Sequence, residues 1–430
     1  MTACKGQWKS ASWLIVCGLV TALVISSVVY GGMGFESVFE QWAWWLPTLG
    51  LTVVLRVGLW LLRRPGQPRP VALRPAPEDE PRSIPAARSS VPLLQNMMEE
   101  VRQTLEGTAR GRRRRNALHA WPWYLLMGAS ASGKTGLLEG LARLTPPVVR
   151  PPAHLVNPTS GCNWWVFQTA AILDTCGRYT SSIPQTQDHD AWCDVLAFLR
   201  SARARQPLNG ILFTVAADAL GVQPLELIRR DALTARQRLH EARRTLGRDI
   251  PLYIVITRCD LIEGFVGFFA QLPEYIRAQV FGWVHDTRLP GKQPPHRPGG
   301  TLPETSMSAM LIRRLDQLRL FVLNDALRTG TSRQQLFCFP EEFRALQRRL
   351  RLFLDTLCVL DVPFDAPYVR GVFFGSAQQR GMPFSALRDN LGFKTPPPAL
   401  EESTESYFLH DLLTVILPHD RQLARPAARW

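Results

Sequence analysis

The feature that most constrains the fold is a glycine-rich segment between an apolar run and an amphipathic run. Residues 123–127 are apolar, Gly128-Ala-Ser-Ala-Ser-Gly-Lys134-Thr135 follows, and leucines at helical spacing come next. This is the complete G-x-x-x-x-G-K-T pattern of a phosphate-binding loop (P-loop), in the strand–loop–helix setting that the pattern requires. Its backbone N–H groups point at phosphate oxygens, its lysine reaches the β and γ phosphates, and its threonine hydroxyl binds Mg²⁺. The segment therefore predicts a nucleotide-binding α/β domain, with Lys134 as a candidate catalytic residue.

A second motif follows the P-loop further along the chain. The apolar residues 170–173 lead into Asp174-Thr-Cys-Gly177. An aspartate at the end of a buried strand can hold Mg²⁺ through water, and the N–H of the following glycine can contact the γ-phosphate. On its own, D-T-x-G is equally well explained by an ordinary strand end. Combined with the P-loop, it makes Asp174 and Gly177 candidate catalytic residues and makes Thr135 and Asp174 the candidate Mg²⁺ ligands.

Two further motifs predict where a nucleotide base would bind. Residues 251–256 are apolar and lead into Thr257-Arg-Cys-Asp260, which is similar to the N-K-x-D or T-K-x-D motif of GTPases, with Arg258 in place of the lysine. In GTPases this aspartate accepts hydrogen bonds from guanine, although Asp260 could also cap the next turn. A later apolar run, residues 371–374, leads into a Ser-Ala pair that resembles the GTPase loop behind the base. The predicted nucleotide-binding residues are Gly128, Ser132, Gly133, Lys134, Thr135, Thr257, Asp260, Ser376 and Ala377.

The order of these motifs predicts the fold class. Strands alternate with helices, and residues 211–215 supply one more central strand, so we expect a GTPase-like P-loop NTPase domain with a mainly parallel sheet. The cofactors implied are Mg²⁺ and ATP or GTP, because the altered T-R-x-D motif leaves the base open. GTPases often carry a water-orienting glutamine directly after D-T-x-G, where this chain has Arg178. We therefore expect intrinsic hydrolysis to be slow, or to use another group.

The first 64 residues predict a transmembrane hairpin. Residues 10–35 carry no charged side chain. Residues 41–62 form a second apolar run, in which Arg56 is the one charged residue. A helix of about 20 apolar residues spans a bilayer. A signal peptide is the alternative, but the first apolar run is long for one and a second run follows. Basic residues flank the pair and acidic residues lie between the spans, which places both ends in the cytoplasm.

Composition and spacing divide the remaining chain. Residues 65–93 are rich in proline and predict a linker, residues 94–385 the P-loop NTPase-like domain, and residues 386–430 a small helical extension. Of the 430 residues, 50 are Lys or Arg and 36 are Asp or Glu, a net charge of +14 that suits anionic lipid or nucleic acid. No nucleic-acid-binding motif accompanies the basic stretch at residues 110–115, so nucleic acid is an improbable partner. The eight cysteines are dispersed, which argues against a zinc ribbon and a disulfide scaffold.

Several segments are specific enough to indicate a family. They are Pro122-Trp-Tyr-Leu, Cys162-Asn-Trp-Trp, Asp174-Thr-Cys-Gly-Arg-Tyr, Thr257-Arg-Cys-Asp-Leu, residues 265–283, Arg370-Gly-Val-Phe-Phe and Tyr407-Phe-Leu-His-Asp-Leu-Leu. Together with the two-span N-terminus they resemble the IcmF/TssM family, the large inner-membrane component of bacterial type VI secretion systems. The resemblance implies a multi-pass protein of the bacterial inner membrane whose main domain is cytoplasmic. It also implies a third span and a periplasmic region that would follow Trp430.

The resemblance further implies a function and partners. The chain would be a nucleotide-binding scaffold of the secretion membrane complex, with nucleotide binding or hydrolysis as a conformational switch. Its partners would be an inner-membrane TssL/DotU-like protein and cytoplasmic baseplate components, in an oligomeric assembly. An independent membrane-tethered regulatory GTPase and a non-hydrolysing scaffold with a vestigial P-loop remain alternatives. The family commonly has acidic residues where Asn163, Gln168 and Thr169 stand; if those acids organise Mg²⁺ or water, restoring them at 168 and 169 should raise turnover.

Overall fold

The computed structural model describes residues 95–96, 98–99, 103, 121–151, 162–180, 186–285, 304–329, 333–358, 367–393 and 397–427. The chain divides into a unit from Met1 to Arg82 and a unit from Ser83 to Trp430. All described residues belong to the second unit, so the predicted hairpin at residues 1–64 and the linker at 65–93 lie outside them. Among the described residues, no helix is both long enough and apolar enough to cross a membrane.

The second unit alternates strands and helices along the described chain. The strands are β1 (Trp123–Gly128), β2 (Asn163–Val166), β3 (Ala171–Asp174), β4 (Gly210–Ala216), β5 (Arg248–Asp249), β6 (Pro251–Thr257), β7 (Phe281–Val284), β8 (Tyr368–Phe374) and β9 (Arg425–Pro426). The helices are α1 (Lys134–Leu144), α2 (Thr186–Ala202), α3 (Ala217–Val222), α4 (Leu225–Leu246), α5 (Phe265–Ala270), α6 (Glu274–Arg277), α7 (Glu304–Thr329), α8 (Arg333–Cys358) and α9 (Ala386–Asn390). A π-helical turn, Leu412–Ile416, continues into a short helical piece, Leu417–His419.

Seven strands form one sheet in the order β2-β3-β1-β4-β6-β8-β7. The pairs β1–β3, β1–β4, β4–β6 and β6–β8 are parallel, whereas the edge strands β2 and β7 pair antiparallel with β3 and β8. This confirms the mainly parallel α/β sheet predicted from the motif order. The sequence patterns did not indicate the two edge strands, each of which has only four residues.

The central strands are apolar because both of their faces are covered. Alternate residues point to opposite faces, so Leu125 and Tyr124 of β1 belong to different apolar clusters. On one face, residues of α2, α4 and α8 pack against the sheet. On the other, α1 shares the cluster with Leu409, Leu412, Leu413 and Leu417. Part of the predicted C-terminal extension therefore covers the sheet directly.

The parallel strands place all the predicted motifs at one edge. β1 ends at Gly128, β3 at Asp174, β6 at Thr257 and β8 at Phe374. In open α/β sheets, ligands bind outside the carboxyl ends of the strands. The loops that follow these four strands surround the candidate site.

Candidate nucleotide-binding site

The P-loop connects β1 to α1 and holds its own lysine. The Nζ atom of Lys134 donates hydrogen bonds to the carbonyl oxygens of Gly128 and Ala129, both at 2.8 Å. An ammonium group has three N–H donors, so one remains for a phosphate oxygen. Burial lowers the pKa of Lys134, and the nearby charge of Asp174 opposes that shift. The Lys134 ammonium group therefore lies in a partly dehydrated loop, where its attraction to a negatively charged ligand is stronger than it would be in water.

Two threonines on the neighbouring strands hold the P-loop in place. Thr214 of β4 shares a 2.7 Å hydrogen bond with the hydroxyl of Ser132, and Thr257 of β6 donates to the Ser132 carbonyl at 2.6 Å. A Cβ added at Gly128 would lie 2.2 Å from Oγ1 of Thr214, so only glycine fits beside this threonine. The predicted role of Thr257 in binding nucleotide thus includes a contact with the loop itself. Thr214 was not predicted, because no local pattern distinguishes it from other strand residues.

The D-T-x-G segment lies directly against the P-loop. A Cβ added at Gly177 would come within 2.5 Å of the backbone of Ser130. Asp174 is buried at the end of β3, and the Thr175 hydroxyl donates to the carbonyl of Leu126 at 2.7 Å. The close approach explains the requirement for glycine at 177. It also brings the predicted γ-phosphate contact to the centre of the P-loop.

Arg238 of α4 holds the turn that follows Gly177, a contact that sequence reasoning missed. Its Nε donates to the carbonyl of Tyr179 at 2.8 Å, and its Nη1 lies 2.7 Å from Nδ1 of His189 and 2.8 Å from Oε2 of Glu241. Only 4% of its side chain is exposed. One buried guanidinium therefore joins α4, α2 and the candidate phosphate-sensing turn. An arginine on an amphipathic helix gives no sequence signal for such a role.

The predicted base site is assembled from two strand ends. Oδ1 of Asp260 accepts a 2.7 Å hydrogen bond from the hydroxyl of Ser376, and Oδ2 lies 3.4 Å from the backbone nitrogen of Arg380. Burial raises the pKa of Asp260 above its ordinary value, while the bond from Ser376 opposes that rise. Ala377 packs on α1, where a Cβ added at Gly140 would lie 2.7 Å from its own. Ser376 thus orients Asp260, and the contact of Ala377 with α1 fixes the loop that carries Ser376.

Arg258, the departure from the GTPase lysine, makes an ion pair of its own. Its Nη1 lies 3.0 Å from Oδ2 of Asp218, at the start of α3. Its backbone adopts a left-handed conformation with φ of 57°, which is uncommon for a residue other than glycine. Its Cγ would lie 3.5 Å from a Cβ added at Gly133, so the side chain passes over the P-loop.

One cavity of about 920 Å³ brings most of the predicted residues together. Those that line it are Ser132, Gly133, Lys134, Thr135, Gly177, Thr257, Asp260 and Ala377. Gly128, Asp174 and Ser376 lie behind this wall, next to Lys134 and Asp260. Arg178 also lines the cavity and lies 3.6 Å from Asp188 of α2. In the part of the chain that the structure describes, no group of three or more His, Cys, Asp or Glu residues could hold a metal ion by itself.

The positions of the three departures from the acidic family pattern differ. Asn163 pairs in register with Asp174, so it lies beside the candidate Mg²⁺ ligand. Gln168 and Thr169 instead form the turn between β2 and β3, where the Phe167 N–H donates to the Ala170 carbonyl at 2.8 Å. That turn lies at the start of β3, whereas Asp174 is the last residue of β3. Acids at 168 and 169 would therefore lie the length of β3 away from Asp174, and the expected rise in turnover stays a prediction.

The sheet order and the glycine-rich loop define a mixed, mainly parallel α/β protein with a P-loop. Comparison with known proteins adds a family. Residues 185–430 match the family described as "IcmF-related N-terminal domain". The type VI secretion system component TssM1 of Pseudomonas aeruginosa is 30% identical over 313 residues, which cover 71% of this chain and 28% of that protein. The chain therefore belongs to the IcmF/TssM family, and it spans little more than a quarter of the relative's length.

Solved structures show weaker similarity. A signal recognition particle receptor complex with GTP from Chaetomium thermophilum is 18% identical, with a TM-score of 0.23, over 33% of this chain and 70% of that one. Translation elongation factor SelB from Methanococcus maripaludis, in complex with a GTP analogue, is 17% identical, with a TM-score of 0.18, over 32% of this chain and 22% of that one.

Proposed function

We propose that this protein is a membrane-anchored, nucleotide-binding scaffold of a type VI secretion membrane complex. Nucleotide binding at the cavity would switch the domain between two conformations. The observation that carries the proposal is that the P-loop, Gly177 and Asp260 open onto one cavity of about 920 Å³. A phosphate site, a γ-phosphate contact and a base site then lie along a single ligand.

The residues present fit a Mg²⁺-nucleotide. The Thr135 hydroxyl and the Asp174 carboxylate are hard oxygen ligands of the type that Mg²⁺ prefers. Bound Mg²⁺ would neutralise charge on the β and γ phosphates. Lys134 has one N–H free of the loop carbonyls for a phosphate, and the Gly177 N–H adds a donor at the γ-phosphate.

We propose guanine rather than adenine as the base. An ionised carboxylate accepts hydrogen bonds from the ring N–H and the amino group of guanine, and adenine offers no such pair on one edge. Asp260 lines the cavity, and the Ser376 hydroxyl fixes its orientation at 2.7 Å. The raised pKa of Asp260 reflects burial, which the bound base would compensate with two hydrogen bonds.

One observation favours binding with little hydrolysis. Hydrolysis needs a positioned water and charge neutralisation at the γ-phosphate. Arg178 lines the cavity at the position of the water-orienting glutamine, and it has no acceptor group with which to orient a water molecule. Turnover should therefore be far below the roughly 1–10³ s⁻¹ typical of enzymes. A non-hydrolysing scaffold is the second candidate, whereas an independent regulatory GTPase needs efficient hydrolysis or a partner that supplies it.

The remaining parts of the proposal come from the sequence and the family. Residues 1–64 would anchor the chain in the bacterial inner membrane, and residues 94–385 would form the main cytoplasmic domain. The helical segment within 386–430 would complete a docking surface for other secretion components. The proposed partners are a TssL/DotU-like membrane protein and baseplate components.

A nucleotide titration of the purified full chain tests the central proposal. Fluorescent GTP and ATP are titrated with and without Mg²⁺, and saturable binding of Mg²⁺-GTP is expected. Lys134→Ala should weaken it by about 1.5–3 kcal/mol, because a charge-assisted hydrogen bond to phosphate is lost. Lys134 also bonds to loop carbonyls, so thermal unfolding of the variant must be measured alongside. Unaltered affinity in a folded Lys134→Ala variant would show that the P-loop is vestigial.

A further inference from the structure

Three segments meet at the amino edge of the sheet, opposite the nucleotide cavity. They are residues 200–209 before β4, residues 243–250 before β6, and residues 421–427. The side-chain amides of Gln206 and Asn209 donate to the carbonyl of Arg421 at 3.2 and 2.6 Å. Arg200 donates to the carbonyl of Thr245 at 3.1 Å, and β5 pairs with β9. We call this surface the arginine pole.

The arginine pole is strongly cationic. Its three segments contain eight arginines and a single acidic residue, Asp249. Arg243 neutralises Asp249 at 2.6 Å, and buried Arg203 lies over the ring of Trp123 at 4.8 Å. Within the described part of the chain, the other six arginines form no ion pair with an acid; they are Arg200, Arg205, Arg244, Arg248, Arg421 and Arg425. All of these are exposed except Arg248, which is half-buried.

The path of the chain places the start of β1 and residues 425–427 at this pole. The backbone N–H of Trp123 donates to the side-chain oxygen of Asn209 at 2.8 Å, and Arg203 reaches the carbonyl of Trp121 at 3.4 Å. At the other end, the N–H of Ala427 donates to the carbonyl of Gly247 at 3.1 Å. The chain thus enters the sheet and reaches residue 427 on one cationic surface.

We propose that the arginine pole binds the phosphate headgroups of anionic phospholipids. The inference rests on the membrane anchor in the proposed function. Guanidinium groups bind phosphate through two parallel hydrogen bonds and are weakly hydrated, so they suit a headgroup layer. The six arginines come from three segments and spread over a surface, which fits an extended array of anions better than a single soluble ion. Binding keeps the cavity at the carboxyl edge turned toward solvent.

Hydrogen–deuterium exchange of the full chain in lipid nanodiscs tests this proposal. The chain is incorporated into discs of phosphatidylcholine alone or mixed with phosphatidylglycerol. We expect backbone exchange in the arginine pole to be slower in the anionic discs, and the difference to disappear at high salt. The test variant carries Arg205→Gln, Arg244→Gln, Arg421→Gln and Arg425→Gln. Each arginine near an anionic surface contributes about a fivefold change in affinity, so four substitutions should abolish the protection.

A charge-matched variant separates the pole from the net charge. It carries Arg313→Gln, Arg314→Gln, Arg348→Gln and Arg351→Gln, all exposed on α7 and α8. This control should keep the protection, and both variants should keep the affinity for Mg²⁺-GTP. Equal exchange in the two kinds of disc, or equal loss in both variants, would overturn the proposal. Slower exchange of the arginine pole in detergent on adding glycerol phosphate would also overturn the proposal, because it would indicate a site for a soluble ion. Slower exchange only on adding an acidic protein partner would overturn it as well.

The anchor and the pole fail in different ways. If the chain is not retained in discs, the proposed membrane anchor is contradicted. Flotation of the chain with phosphatidylglycerol vesicles then tests lipid binding by the arginine pole separately. Salt-sensitive flotation that the pole variant loses and the charge-matched variant keeps supports the pole. Absence of flotation overturns it.

Discussion

Asn163 and Asp174 lie side by side in register across β2 and β3, although 10 other residues separate them in the sequence. A carboxylate at 163 would therefore join the candidate Mg²⁺ site, whereas carboxylates at 168 and 169 would lie at the far end of β3. We expect Asn163→Asp to change the Mg²⁺ concentration needed for nucleotide binding. In this variant two carboxylates would lie side by side and would repel each other without a cation. Nucleotide binding should therefore depend more steeply on the Mg²⁺ concentration.

The double variant Gln168→Asp, Thr169→Glu is the matched control. Titration of Mg²⁺ at fixed GTP should give the same midpoint for this variant as for the unmodified chain. A midpoint shift in the double variant and none in Asn163→Asp would contradict the placement of β2 against β3.

Asp260 allows a second prediction at the residue scale, on base selectivity. An asparagine at this position offers an N–H donor where the carboxylate offers an acceptor. Xanthine carries a carbonyl oxygen in place of the amino group of guanine, so Asp260→Asn should prefer XTP over GTP. Competition binding with GTP, XTP and ATP measures this change in base preference. Loss of all three nucleotides, or no change in preference, would mean that Asp260 does not contact the base.

The raised pKa of Asp260 adds a pH dependence with a defined sign. Guanine requires the ionised carboxylate, so GTP affinity should fall as the pH drops toward the raised pKa, above the 3.8 of an ordinary aspartate. The folded state without nucleotide binds the proton more tightly than the unfolded chain does. Asp260 therefore favours folding more at acid pH than at neutral pH, where its buried charge is unfavourable. XTP binding by Asp260→Asn should lack this acid loss.

At the scale of secondary-structure elements, Arg238 couples α4 to the turn after Gly177. Lysine at this position keeps the charge but cannot donate in the three directions that the guanidinium reaches. The turn then loses the hydrogen bond to the Tyr179 carbonyl, which is worth about 1 kcal/mol. Since Gly177 is proposed to contact only the γ-phosphate, Arg238→Lys should lower GTP affinity about five- to tenfold and leave GDP affinity nearly unchanged.

Arg229→Lys is the control for this prediction, because Arg229 lies on the same helix and pairs with Glu226 on the surface. Equal losses for GTP and GDP in Arg238→Lys would indicate a general loosening of the fold rather than a role in γ-phosphate sensing.

The elements differ in how far the sequence predicts them. β1, β3, β4, β6 and β8 were predictable because each is an apolar run whose two faces are covered, and the P-loop fixes its own strand and helix. β2 and β7 were not, since four residues are too few to show a period and no motif follows either strand, whereas the D-T-x-G motif marks the end of the equally short β3. The contacts of Thr214 and Arg238 arise from residues far apart in the chain. Local sequence therefore predicts the chemistry of the cavity, while the residues that hold it in shape appear only in the folded structure.

On the scale of the whole molecule, the two edges of one sheet separate two kinds of chemistry. The carboxyl edge carries the cavity with its single loop lysine and buried aspartates, and the amino edge carries the arginine pole. The C-terminal segment contributes to both surfaces: Leu409 lines the cavity, and Arg421 lies in the arginine pole. Movement of this segment would therefore affect both surfaces.

The attachment of the C-terminal segment gives the last prediction. Arg370 of β8 donates to Asp420 through Nε at 2.7 Å and Nη2 at 3.1 Å, and Tyr253 donates to the same carboxylate at 3.2 Å. Asp420 is 1% exposed. Asp420→Ala leaves a buried guanidinium without its acid, which costs about 3–5 kcal/mol.

Chemical denaturation, followed by the fluorescence of the buried tryptophans, measures this loss. Glu402→Ala is the control, because Glu402 forms an exposed ion pair with Arg380 whose removal should cost at most about 1 kcal/mol. If residues 386–430 were an independent extension, Asp420→Ala would leave the main transition unchanged and only a small separate transition would move. A single cooperative transition at lower denaturant is expected instead, because Leu412, Leu413 and Leu417 belong to the same apolar cluster as the central strands.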